Sequence, residues 1–479
     1  MKRAKKILIT GAFLILASLQ LGAQIPNSLF FMPNVPQSNR INPAIQPRSG
    51  LYFGMPGLSP LRFQITSSAL AFQDVFTYNS DIDAMITPFH PLGDEQAFLD
   101  QLDPVNYFLN ELGLSPISFG FRAGKNYFSF DLTTRVDASI NYPKGLFELP
   151  LYGLPDGETR SFSGLGIDFT GFLETSLGWS RRDLIIPNLD LGVRAKFLTG
   201  LANVNTANSV LELTASSEAL NFNSDLEYNI AVPSFINITE ADSSLLPDVD
   251  VDDTYFNNPP VQIVKEQLLN NIGFGVDIGI NYQPIPQLMV SASVLDLGYI
   301  NWNNTVTGNM NFAYDFIGIN VNPFTGIDTT FIQELADSAQ SSVSIVAGQP
   351  YRSNLNPKLF VGASFYPIEK IGFGLLSRTD FLNGKVAQQF TATANMTTGR
   401  FLNLSLSYTY MTSSVKNFGA GLSVNVWPFN LYIISDNVIS GALWPTEAKS
   451  VNLWFGMNLC FGYRISKKVP EPKDRPLIL

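Results

Sequence analysis

Beyond residue 23 the chain never strings together the roughly 18 consecutive apolar residues that a membrane-spanning helix needs, yet apolar side chains recur at every second position in stretch after stretch. From 401 to 411, Leu402, Leu404, Leu406, Tyr408 and Tyr410 alternate with Asn403, Ser405, Ser407 and Thr409. Residues 272–283 set Ile272, Phe274, Val276, Ile278, Ile280 and Tyr282 against Gly273, Gly275, Asp277, Gly279, Asn281 and Gln283. Residues 416–427 and 451–462 repeat the pattern, with Trp454 as the exception. A period of two is the period of a strand. A strand half-exposed to water usually carries Lys and Glu on its wet face, whereas this second face carries Gly, Ser, Thr, Asn and Gln. An apolar face opposite a small polar one suits a strand that crosses a bilayer with its other side on a lumen. The predicted fold class is all-β: a transmembrane antiparallel β-barrel.

Composition agrees and excludes other classes. Charged residues are 15% of the 479, against about 25% in a typical soluble domain. Cys460 has no partner for a disulfide, and one Cys with one His leaves too few ligands for a thiolate or imidazole metal site. A net charge of −10 argues against nucleic acid. No cofactor and no metal is called for.

The N-terminus reads as a secretory signal peptide over 1–23. Lys2, Arg3, Lys5 and Lys6 precede an apolar stretch from Ile7 to Leu21, and Leu21-Gly22-Ala23 offers small residues for cleavage. Export of an acidic, aromatic-rich, nearly Cys-free chain points to the cell outer membrane.

Turn signals at Pro284-Ile285-Pro286, Pro367-Ile368-Glu369-Lys370, Thr397-Thr398-Gly399-Arg400 and Trp427-Pro428-Phe429-Asn430 mark short connections, with much longer ones between them. The expected strands lie near 60–72, 116–123, 127–139, 167–180, 189–201, 272–283, 287–303, 355–366, 371–381, 385–396, 400–411, 416–427, 430–436 and 450–463. That makes about fourteen, an even number with both ends on the periplasmic side. The organisation expected is an N-terminal plug or periplasmic segment over 24–58, a barrel over 59–466 and a mobile tail over 467–479. Three external excursions carry helical insertions or hairpins. Residues 73–115 suggest a helix pair, one capped by Asp94 and one restarting at Asp103-Pro104. Residues 202–271 suggest a hairpin near 209–232, and 304–354 a helix near 329–343. Residues 306–317 also read as a strand, which breaks the parity, so they are assigned to the excursion.

With Asn39-Arg40-Ile41-Asn42-Pro43-Ala44 near the mature start, an export signal and this strand arithmetic, the chain resembles an uncharacterised group of Bacteroidota outer-membrane barrels. That group is similar to long-chain fatty acid transporter barrels and to PorV-like barrels of type IX secretion. The resemblance covers most of 24–466 and implies a plugged barrel with a route for a hydrophobic ligand. The tail beyond Tyr463 departs from barrels that end on an aromatic residue.

Candidate lumen residues are the inward charges Asp131, Arg135, Asp168, Glu174, Arg194, Lys196 and Asp277, with Asp137, Asp190, Arg378 and Asp380 in the same phase. Charges facing a barrel interior must be paired or wet. They form either a polar constriction for a ligand or an ion-pair network that pins the plug through Arg40 or Arg48. A second candidate is an external apolar groove of Phe98, Leu99, Leu102, Phe108 and Leu109, whose bland alternative is loop packing on the rim. Asp248, Asp250, Asp252 and Asp253 lack the Gly and closing Glu of a calcium loop and read as a solvated acidic loop. His90 sits in a loop, away from any Ser on the wall, and no catalytic residue is assigned. Cys460 reads as an inward packing residue; Trp179, Trp302, Trp427 and Trp444 read as interfacial girdles. The function expected is binding or transport of a hydrophobic or amphipathic small molecule in the outer membrane, without catalysis. A scaffold for secretion or surface-protein partners is the alternative, and a secreted soluble β-protein stands third. The expected partners are outer-membrane lipid, a hydrophobic small-molecule ligand and envelope proteins.

Overall fold

The computed structural model describes residues 26–462, apart from 234, 240–247, 253–257, 260–261, 263–268, 304, 317–320, 323–325, 328–341, 383–384, 399–400, 412–413 and 439–448. The expected signal peptide, the expected tail and almost all of the helix expected near 329–343 lie outside the described residues.

The wall is a closed antiparallel barrel of fourteen strands. It begins with β1 (Leu51–Gly54), continued by β2 (Leu61–Ser67), then β3 (Val105–Ala123), β4 (Asn126–Pro143), β5 (Gly166–Arg181) and β6 (Leu189–Ala215). An outlying strand β7 (Leu220–Ala231) precedes wall strands β8 (Ile272–Ile285) and β9 (Leu288–Trp302). Outlying strands β10 (Thr305–Phe316) and β11 (Val343–Ala347) precede β12 (Tyr351–Asn354), which β13 (Lys358–Ile368) continues along the same neighbour, β9. The wall then runs through β14 (Ile371–Leu382), β15 (Lys385–Thr398), β16 (Leu402–Met411), β17 (Ser414–Val426), β18 (Phe429–Ser435) and β19 (Ser450–Phe461). It closes where β19 pairs with β18 on one side and with β1 and β2 on the other. In β19 the even-numbered residues from Ser450 to Cys460 are buried and the odd-numbered ones face outward. Outward residues such as Leu375, Leu406 and Leu177 stay more than 60% exposed, as a lipid-facing belt requires.

Several expectations are corrected. The wall starts at Leu51 rather than near 60, because the first strand is interrupted by a bulge over Met55–Pro60, where Gly57 takes φ +73°. Residues 104–112 form no helix. Phe108 and Leu112 have helical spacing, but pairing with β4, Phe108 opposite Ile140 and Leu112 opposite Val136, makes this the outer half of β3. Residues 305–316 are strand, not loop: β6, β7, β10 and β11 pair in series as a sheet that extends the wall outward. This keeps the parity, since that extension adds no crossing. The hairpin expected near 209–232 is the β6–β7 pair. Two outer connections are short, with two residues between β14 and β15 and two between β16 and β17.

Residues 26–50 run inside the barrel as two 3-10 turns, Asn27–Phe31 and Pro36–Arg40, joined by tight bends. Their side chains reach most of the circumference. The Asn27 amide donates to Gln389 and Thr391, Phe30 stacks on Phe360, and Gln37 donates to Asn458 at 2.7 Å. Asn42 Oδ1 accepts from the Ala44 amide at 2.9 Å while its Nδ2 donates to Asn281 at 2.8 Å. The Asn42-Pro43-Ala44 tripeptide is thus a turn that locks onto β8. Gly192 and Gly279 give that turn its room: a Cβ at Gly279 would lie 2.1 Å from Asn42 Oδ1, and one at Gly192 2.2 Å from the Pro43 backbone. Gly279→Leu should therefore loosen the segment without unfolding the wall. Expected are retained heat-modifiable migration on gels and maleimide labelling of an Asn34→Cys reporter, which is unreactive in the Gly279 background; unchanged protection would contradict the packing.

Candidate functional site

Above the buried N-terminal segment the lumen is crossed by a layer of charge. The hub is Asp296. A β-bulge in the β8–β9 pairing, with Asp296 at φ +59°, turns this side chain inward next to Leu295, as bulges re-aim side chains. Asp296 Oδ1 lies 2.9 Å from Arg135 and 2.6 Å from Lys196, and Oδ2 lies 3.7 Å from Lys358. Its own amide donates to Asp277 Oδ1 at 2.8 Å. Glu174 reaches Arg135 at 3.3 Å and Lys196 at 3.8 Å, Asp277 reaches Lys196 at 2.7 Å, and Glu111 reaches Lys358 at 3.1 Å. Arg135 also pairs with Asp137 at 3.2 Å and lies over the Phe172 ring at 5.0 Å.

A second node joins wall to plug. Asp131 takes Arg40 at 2.5 Å and Arg194 at 3.5 Å, and accepts from Ser118 at 2.8 Å. Arg194 also donates to Asn39 at 3.3 Å. A third node lies on the far wall, where Arg378 pairs with Asp380 at 2.8 Å and donates to Asn27, and Asp436 accepts from Ser28 Oγ at 2.5 Å.

Of the predicted lumen residues, Arg135, Glu174, Lys196 and Asp277 meet at the hub and Asp131 with Arg194 at the second node. Asp168 stands apart, accepting from Asn205 at 2.9 Å. It lines a cavity of about 230 Å³ at the end of the barrel that carries the long connections, the outer mouth in the expected orientation, with Asp137, Thr170, Asn203, Tyr351 and Leu355. Leu355 also belongs to an apolar cluster with Phe172, Leu198, Ile300 and Trp302, against which Tyr351 packs, so the mostly polar cavity adjoins apolar side chains.

The external groove is not assembled as expected. Alternation along β3 puts Phe108 on the outward face and Leu109 on the inward one, where it lines the cavity just described. Phe98, Leu99 and Leu102 pack with Tyr142, Phe108 and Phe147 into a closed cluster. Helix α1 (Phe72–Val75) precedes this cover, α2 (Glu95–Leu99) starts at an Asp94 cap that accepts from Ala97, and α3 (Gly145–Tyr152) completes it.

Sequence reasoning missed Asp296, Glu111, Lys358 and Arg62. Asp296 falls in the outward phase of Val290, Ala292 and Val294, and an Asp among those residues was the available sign of a bulge. Lys358 shares its phase with the buried Ser364 and is readable as inward. Arg62 lies over Gly113, where a Cβ would meet its Nε at 2.2 Å, and 5.7 Å from the Trp454 ring. Trp302 is fully buried and donates to Ser353 at 2.8 Å, so it is no girdle residue; the same bulge reverses its phase. Trp179 and Trp427 are exposed at the short-turn end, and Trp444 lies outside the described residues. Asp248 and Asp250 sit on a short strand, Asp248–Val251, paired with Ile236–Thr239, rather than in an open loop; Asp253 is not described. His90 caps a turn by accepting from the Leu92 amide at 3.1 Å. Cys460 is buried with Tyr52 and Tyr127.

A family profile covers residues 43–436, from the Pro43 turn to the Asp436 node. The chain belongs to DUF5723, a family of unknown function. No curated protein matches the chain. Among solved structures this DUF5723 member is similar to the toluene transporter TbuX of Ralstonia pickettii, with 9% identity, a TM-score of 0.39, and coverage of 89% of this chain and 94% of that one. It is also similar to a FadL homologue of Pseudomonas aeruginosa, with 10% identity, a TM-score of 0.41, and coverage of 93% and 97%.

The hub makes a stability prediction. Asp296→Asn removes the charge that three buried cations share, and breaking a buried pair in this way costs about 3–5 kcal/mol. Denaturant unfolding in detergent should show that loss for Asp296→Asn and a much smaller one for Asp168→Asn at the cavity wall. Equal effects would remove Asp296 from its central place.

Proposed function

We propose that this protein is an outer-membrane barrel that binds, and passes inward, an amphipathic small molecule taken up at its external mouth, with no catalytic step. The observation that carries the reading is the cavity of about 230 Å³ beside the outer mouth, lined by the polar Asp168, Thr170, Asn203 and Asn205 together with the apolar Leu109, Val204 and Leu355. A polar headgroup finds hydrogen-bonding partners there, and an apolar tail meets Leu109, Val204 and Leu355, the last of which belongs to the buried Phe172–Trp302 cluster. Pockets that fix orientation with a few polar groups against apolar walls suit such ligands. Passage further inward requires the charge layer and the N-terminal segment to rearrange.

The second reading, a scaffold for envelope proteins, is favoured by the same segment: residues 26–50 fill the lumen and are tied to the wall through Arg40, Asn42 and Gln37. Mass spectrometry of molecules extracted from detergent-purified protein, against a control barrel from the same host, separates the two. The ligand reading expects a specific enriched amphiphile, reduced about tenfold by Tyr351→Ala with Asp168→Leu, as the loss of one or two hydrogen bonds implies. No enrichment, together with a co-purifying envelope protein, supports the scaffold.

A further inference from the structure

We propose that residues 72–92 form a collar that lies in the outer leaflet of the membrane, against the outside of the barrel wall. The placement follows from the phase of two strand residues. Phe108 pairs with Ile140, and Ile140 pairs with Ile167; Ile140 and Ile167 are outward and exposed to 45% and 52%. Phe108 and, two residues beyond Ile140, Tyr142 are therefore outward as well. Their rings stack at 5.1 Å, and Phe98, Leu99, Leu102 and Phe147 cover them. The excursion between β2 and β3 thus folds down over the membrane side of the rim rather than across the mouth.

The arm leading into that cover presents Phe72, Phe76, Tyr78, Met85, Phe89 and Leu92, each between 40% and 59% exposed. The Phe72 and Phe76 rings stack at 4.9 Å. Left in water, such a contiguous apolar surface is unfavourable. The occupant that fits is the lipid itself, because the patch continues the lipid-facing belt at Ile140 and Ile167. Its polar groups suit an interface: the Asp74 carboxylate accepts from the Ala71 amide at 2.7 Å, and Asp83 accepts from the Tyr78 hydroxyl at 2.5 Å. Aromatic residues with one wet edge are typical of the membrane–water boundary.

The test is nitroxide depth measurement in phospholipid vesicles holding the folded full chain. Cys460 is buried, so single labels can be placed at Phe76→Cys and Leu92→Cys. Ile167→Cys serves as the lipid-facing control and Lys125→Cys, on a short turn, as the aqueous control. Heat-modifiable migration confirms folding, and Ile82→Cys replaces either collar site that fails it. The collar predicts oxygen collision exceeding nickel-chelate collision several-fold, as at Ile167. A Lys125-like pattern at both sites, whether the surface is free or reserved for a protein partner, overturns the proposal.

Discussion

Asp296 stands inside the lumen with Arg135, Lys196 and Lys358 around it, and none of these charges stays comfortably buried if a partner leaves. Desolvating an ion costs several kcal/mol, repaid only when geometry and hydrogen bonding are complete. The cations come from β4, β6 and β13 and the carboxylates from β3, β4, β5, β8 and β9, so completing the network fixes the relative heights of these strands. Arg40, held by Asp131 one level nearer the short turns, extends the same logic to the N-terminal segment. Wall register and plug position are thereby set by two sets of buried charges, the Asp296 hub and the Asp131 node.

The two faces of the wall obey different physics. Outside, apolar side chains meet lipid and demand no specific neighbour, so many residues would serve at each position. Inside, every polar group needs a partner, and small residues at Gly192, Gly279, Gly362 and Gly374 make room for the segment threaded past them. The molecule therefore concentrates its specificity in the lumen and at the outer mouth, where the cavity beside Asp168 lies on the boundary between charge layer and apolar cluster.

The strands from Ile272 onward were legible in the sequence because lipid on one side and a packed lumen on the other enforce strict alternation. Legibility failed where that double constraint lapses. At the rim Phe108 meets the Phe98–Leu102 cover in place of lipid, and along residues 105–112 Phe108 and Leu112 satisfy helical spacing as well as strand pairing. The β10 strand pairs only with other outlying strands and with β7, so the parity of the wall says nothing about it. One bulge accounts for two further errors: by shifting the phase of β9 it brings Asp296 inward and buries Trp302. The inward charges Arg135, Glu174, Lys196 and Asp277 were found from alternation alone, but the residue that unites them was hidden by the break in the pattern that makes it useful.

The central claim is that this charge network and the segment it holds seal the barrel. Planar-bilayer conductance of the intact chain tests it most directly. A sealed lumen predicts a silent bilayer for the intact chain and steady current steps once Arg40→Ala releases the segment from Asp131. Steady open-pore conductance from the intact chain, unchanged by Arg40→Ala, would contradict the account.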